Sequence, residues 1–159
     1  NRTRTTVAYL PVYVVAVNQA PTISTDSEFY SQVQLDTPVP EITITDVNHE
    51  QMTRLTSMGE DLQPSVTLTI TAGHGKITLL VKDNVVFLQG VGRRDQALII
   101  RAPLDVMNGV LKTVSYSCKF QDGCVSGMTD TIYVEVDDEG YRGKGGALTA
   151  STTITVNVT

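Results

Sequence analysis

The chain has 159 residues, 41% of them hydrophobic, which is enough for one domain of ordinary size with its own core and argues against disorder. With 17 acidic against 12 basic residues, a formal net charge of -5 and only 6% aromatic side chains, it lacks both the positive field and the stacking surface that nucleic-acid binding needs. The longest nearly apolar stretch, residues 7–17, is too short to span a bilayer and is broken by Pro11.

Valine, isoleucine and threonine supply 52 residues, a β-branched load that suits pleated sheets, while periodic runs of helix formers are scarce. Residues 7–17 (VAYLPVYVVAV) read as a strand, with Pro11 at an edge or bulge position. Pro21 pushes Ala20 toward an extended conformation, so Asn18-Gln19-Ala20-Pro21 reads as a taut connector. Short strands are expected at Ile23, at Val33 to Leu35 and at Glu41 to Thr45. Residues 46–64 break the alternation and form the longest loop, with one helical turn around Glu50 to Leu55.

Regular structure resumes at Val66, Leu68 and Ile70, which alternate with Thr67, Thr69 and Thr71 as in a half-buried strand. Gly73-His74-Gly75 turns the chain, and Lys76 to Val81 is expected to return beside it as a hairpin. Strands follow at Val85 to Leu88 and Ala97 to Arg101. Pro103 suits a first helical position, and Leu104, Met107 and Leu111 fall on one stripe, so a short core-packing helix is expected there. The run closes with strands at Thr113 to Ser117, Asp130 to Val136 and Leu148 to Val158. The Thr-Thr-led strands near the two extremes resemble each other, as a cut through a tandem array would leave them. On that reading residues 1–18 are the last strand and connector of a preceding repeat, and residues 19–159 are one complete repeat.

Five segments in order carry a family likeness: VAVNQAP (15–21), ITITDVN (42–48), VTLTITAGHGKITL (66–79), LDVMNGVLKTVSY (104–116) and DTIYVEVDDEGYRGKGGALTASTTITVNV (130–158). Together they resemble the cadherin-like repeats of giant surface proteins, among them bacterial adhesins, chondroitin-sulphate-proteoglycan-type repeats and protist or algal surface glycoproteins. The resemblance implies an all-β, immunoglobulin-like antiparallel sandwich with one short helix. It further implies an extracellular spacer or adhesive module, often stiffened by calcium between repeats. Where the family pattern commonly has Asp, this chain has Gln19 and Asn48.

If strands alternate in direction, the loop at Asp46 and Asn48 and the final loop at Asp137, Asp138 and Glu139 return to the pole where Asn18 enters. Calcium takes six to eight oxygens, several of them anionic, and this set is the candidate for it. The alternative is that these are solvated turn residues capping strands. Gly140, Gly143, Gly145 and Gly146 around Lys144 lack the Gly-Lys-Ser/Thr ending of a phosphate loop and read as a flexible hairpin loop.

Cys118 and Cys124 lie in one loop of an acidic chain of extracellular character, where a disulfide is expected rather than two free thiols. Asn1-Arg2-Thr3 and Asn157-Val158-Thr159 are glycosylation sequons. A nucleophile needs a positioned base, yet His49 and His74 fall in loops at opposite poles and read as exposed turn residues, so no catalytic constellation assembles. The functional expectation is a non-enzymatic spacer whose partners are neighbouring repeats, with surface proteins or glycans as possible adhesive partners. The alternative is a recognition module whose loops bind a glycan or protein partner, which a compact patch of exposed aromatics would favour.

Overall fold

A computed structural model describes residues 16–50, 64–140 and 143–159. The strand expected at residues 7–15, most of the 46–64 loop, Asn1 and Tyr141 lie outside the described residues.

Eleven strands occur among the described residues: β1 (Thr22–Ser24), β2 (Glu28–Ser31), β3 (Asp36–Pro38), β4 (Thr43–Thr45), β5 (Ser65–Ala72), β6 (Lys76–Leu79), β7 (Val86–Gln89), β8 (Ala97–Pro103), β9 (Val114–Ser117), β10 (Thr129–Asp137) and β11 (Thr149–Val158). Helix α1 begins at residues 47–50, and α2 spans Leu104–Leu111. Six strands pair in the order β2-β11-β10-β5-β8-β7, and three in the order β3-β9-β6. Taking β3, β9 and β6 as B, E and D, and β11, β10 and β5 as G, F and C, reproduces the two-sheet plan of an immunoglobulin-like sandwich. The all-β sandwich with one short helix is therefore what the chain forms. β2 runs parallel to β11 at one edge, and β8 and β7 extend the sheet at the other.

The threonine alternation explains the layering. On β5, Val66, Leu68 and Ile70 are fully buried while Thr67, Thr69 and Thr71 face outward, because successive side chains point to opposite faces. Leu98 and Ile100 on β8, Ile132, Val134 and Val136 on β10, and Ile154 and Val156 on β11 repeat the pattern. From the smaller sheet Ile77, Leu79, Val114 and Tyr116 close over them. Each such aliphatic side chain contributes about 1.5–3 kcal/mol through burial. The predicted stripe of α2 packs inward through Met107 and Leu111, joined by Val110. Pro103 stands one position before the first helical residue, as the N-cap. Asn108 on this helix accepts from the Ile44 amide at 2.8 Å and donates to the Ile44 carbonyl at 2.9 Å, so its side chain takes the place of a neighbouring strand for β4.

Two local expectations are corrected. Residues 33–35 form a turn, with Gln34 at φ 73°, and the strands lie on either side of it as β2 and β3. The Gly73-His74-Gly75 turn does not make a hairpin: β5 pairs with β8 and β10, whereas β6 pairs with β9. The turn therefore arches from one sheet to the other, and alternation along the chain cannot reveal that, since both partners look alike at period two.

Candidate functional site

Asp46 follows β4 and precedes the first turn of α1, the position where a short acceptor side chain satisfies the free amides of a helix start. Its Oδ1 accepts from the amides of Asn48 at 2.8 Å and His49 at 3.1 Å. His49 folds back on the same turn, with Nδ1 3.1 Å from Asp46 Oδ2 and Nε2 3.1 Å from the Ser65 carbonyl. A carboxylate and a carbonyl can only accept, so this placement favours the protonated ring, in which both nitrogens carry a hydrogen. Burial opposes that charge, but the Asp46 contact, the Ser65 carbonyl and the negative field of Asp46 and Asp138 outweigh it and raise the His49 pKa above its ordinary value. Burial likewise pushes the Asp46 pKa up, and His49 with the helix-start amides more than reverses it. At 3% exposure His49 is not the exposed turn residue expected from sequence, whereas His74 is exposed as expected.

Across this pole, Asp138 follows β10 with no exposed surface. Its Oδ1 accepts from the amides of Gly140 at 2.9 Å and Leu148 at 2.8 Å, tying the base of the glycine-rich loop. Its Oδ2 accepts from the Asn18 side-chain amide at 2.6 Å, and the same amide nitrogen donates to the Gly146 carbonyl at 2.8 Å. The loop also holds the connector through its backbone: the Lys144 amide donates to the Ala16 carbonyl at 2.9 Å, and the Asn18 amide donates to the Lys144 carbonyl at 3.4 Å. Gly143 (φ 109°) allows this approach, because a Cβ there would overlap the backbone of Val17 and Asn18. From the other side Asn48 Oδ1 accepts from the Gln19 amide at 2.8 Å, and Asn48 Nδ2 lies 3.4 Å from the Val17 carbonyl. The loop expected to be a free, flexible hairpin thus forms one wall of the channel that holds residues 16–19.

The two remaining acidic candidates turn elsewhere. Asp137 Oδ1 accepts from the Glu139 amide at 2.7 Å. Glu139 Oε1 accepts from Thr67 Oγ1 and from Arg101 Nε, each at 2.6 Å, and its other oxygen faces the same guanidinium. Asn18, Asp46, Asn48 and Asp138 therefore share the pole with His49, while Glu139 joins a charge pair on the outer sheet face. Calcium would need these oxygens free to converge on one point. Both oxygens of Asp138 instead accept from protein donors and Asn18 presents nitrogen between two oxygens, while Asp46 accepts through Oδ1 and its buried Oδ2 lies beside the His49 ring without a hydrogen bond of its own, so Asp138 and Asn18 do not fit a calcium cage as they stand. Among the described residues no three His, Cys, Asp or Glu side chains group so as to hold a metal ion.

At the opposite pole a third carboxylate is buried. Asp130, 3% exposed at the start of β10, accepts from Tyr116 Oη at 2.6 Å and from the amides of His74 at 3.0 Å and Gly75 at 2.8 Å. Burial raises its pKa, but the Tyr116 hydrogen bond and the amides of Gly75, Thr131 and His74 together bring it below the ordinary carboxylate value. The same contact and burial push the Tyr116 hydroxyl well above its usual range. A Cβ on Gly75 would overlap the Tyr116 ring, which explains the second glycine of that turn. Close by in sequence, Cys118 and Cys124 form the expected disulfide, both fully buried. Asn157 lies on β11 between Thr129 of β10 and Tyr30 of β2, half-buried, with Nδ2 3.3 Å from Glu28 Oε2.

Sequence reasoning missed the Asp46–His49 and Asp130–Tyr116 pairs. The first had a signal, an acceptor three residues before a histidine at the end of a strand; the second had only the two glycines around His74. Compared with protein-family models, curated proteins and solved structures, the chain matches none. Fold and site together define an immunoglobulin-like sandwich with its incoming connector built into one pole. No helix among the described residues is long and apolar enough to cross a membrane.

Proposed function

We propose that the chain is a non-enzymatic structural repeat of a longer extracellular protein, serving as a spacer and a surface for adhesion, with neighbouring repeats as its first partners. The observation that carries this reading is where the chain enters and leaves. Asn18 enters at the pole of Asp138 and Gly146, while β11 runs ten residues away from it, to Val158, whose amide meets the Met128 carbonyl at the other end. At about 3.3 Å per residue β11 alone spans roughly 30 Å, so entry and exit lie far apart along the strand direction. Pulling on the two ends then loads the long β10–β11 ladder along its strands, in shear. The buried disulfide supports an oxidising compartment.

The histidines support the non-enzymatic reading. His49 has an acid partner, but its second nitrogen faces the Ser65 carbonyl, so neither nitrogen is turned toward a substrate. Among the described residues the exposed aromatics favour a spacer over a glycan-binding face. Tyr30 and Tyr133 are separated by β11 and by four residues of register, and Phe120 lies in the 3-10 turn after β9. Single-molecule pulling through the chain's two ends tests the proposal. A spacer gives one cooperative rupture with a length gain on the order of 400 Å, from ~3.4 Å per residue over the sandwich. Gradual extension without a rupture would count against it.

A further inference from the structure

The pole that receives the connector gathers oxygens as an ion site would, with a protein donor between them. Asp138 Oδ2 and the Gly146 carbonyl converge at 2.6 and 2.8 Å on one atom, the amide nitrogen of Asn18, which is 7% exposed. Two oxygens that close together require a positive group between them, and the amide hydrogens supply it. The neighbouring carboxylate, Asp46, accepts through Oδ1 from two helix-start amides, and its Oδ2 lies 3.1 Å from the His49 ring. Around them the connector is held on both flanks, by the backbone of Lys144 and by the side chain of Asn48.

We propose that this pole is a cation-independent lock, in which the Asn18 amide occupies the position a divalent ion would take and hydrogen bonds hold residues 16–19 against the sandwich. The lock goes beyond the spacer reading, because it concerns bonds within this chain alone. It assigns Asn18 a role that an aspartate at the same place could not fill, since a second carboxylate would face Asp138 Oδ2 at hydrogen-bonding distance.

The test uses the whole chain. Melting temperature is measured in millimolar calcium and in chelator, and amide hydrogen exchange is followed at Asn18 and Lys144. The lock predicts the same melting temperature in both and slow exchange at both amides in chelator. A saturable rise of roughly 5–10 °C with calcium, the size expected for an ion near one hundred times its Kd, would overturn it, as would protection that appears only with calcium. Asn18→Ala should speed exchange at the Lys144 amide about tenfold, the loss of one net hydrogen bond, with calcium restoring nothing. Asn18→Asp should melt below wild type in chelator; melting together with wild type would show that the amide holds nothing. The wild-type measurements decide the question even if a variant fails to fold. Calcium binding by wild type would sink the lock and leave the pulling experiment to judge the spacer.

Discussion

The connector pole buries two aspartates and the far pole one, and Asp46 and Asp130 are satisfied by different means. At the connector pole Asp138 is held by amides alone, but Asp46 lies 3.1 Å from the ring of His49, whose protonation it favours. At the far pole Asp130 is matched by a hydroxyl and two turn amides, with no cation among the partners named for it, so the charge is held by dipoles alone. Dipoles must be aimed, and aiming them costs conformational freedom: hence two glycines in the 73–75 turn and a tyrosine reaching across from the other sheet. A charge pair tolerates looser geometry but becomes dependent on pH. The far pole is therefore a rigid rivet between sheets, while the connector pole is a seat for an incoming segment whose strength follows protonation.

The largest way to break this contrast is Asp130→Ala, which strands the Tyr116 hydroxyl and two turn amides in a buried place. Urea unfolding should show a loss of roughly 3–5 kcal/mol, from about 1–3 kcal/mol per orphaned group. Removing the disulfide at the same pole, with Cys118→Ser and Cys124→Ser together, should cost about 2–3 kcal/mol through the freed unfolded chain, read in the same titration.

At the connector pole His49→Gln should cost about 1–3 kcal/mol near pH 6, where it removes a charged donor from buried partners. That penalty should shrink in alkali. The folded His49 pKa is raised above the unfolded value, so its contribution is complete below about pH 6.5 and is lost as pH rises through the folded pKa. The Asp46 and Asp130 pKa values are lowered, so their contributions stand above about pH 4 and vanish as pH falls through the folded values. Wild type should lose melting temperature from pH 6 toward pH 9, His49→Gln should lose less, and the Asp130 site should leave that alkaline slope unchanged. The smallest effect is expected at Lys112, an exposed residue 3.7 Å from exposed Glu41: Lys112→Ala should change stability by less than about 0.5 kcal/mol.

Much of the fold was legible because sheet burial writes itself at period two. β5, β8, β10 and β11 lie where the alternation of Thr with Val, Leu or Ile placed them, and α2 lies where its i, i+3, i+7 stripe did. The short strands were less legible. β2 and β3 have three or four residues each, too few for a period to stand out, so the turn at Gln34 was read as strand. The site was half legible. Chain alternation brought Asn18, Asp46, Asn48 and Asp138 to one pole on paper, but could not tell which atoms face which, and so could not foresee nitrogen where an ion was expected.

The amino-acid sequence by itself determined which faces of the strands are buried, that Cys118 and Cys124 are close enough to join, and which loops share a pole, because these follow from local period and chain direction. Tertiary structure alone decided that the Gly-His-Gly turn changes sheets, that Glu139 pairs with Arg101, that His49 lies against Asp46 and that the Asn18 amide donates to Asp138. Those outcomes depend on hydrogen bonds between residues as much as 128 positions apart, whose partners compete on distances of a few tenths of an ångström that no pattern along the chain records.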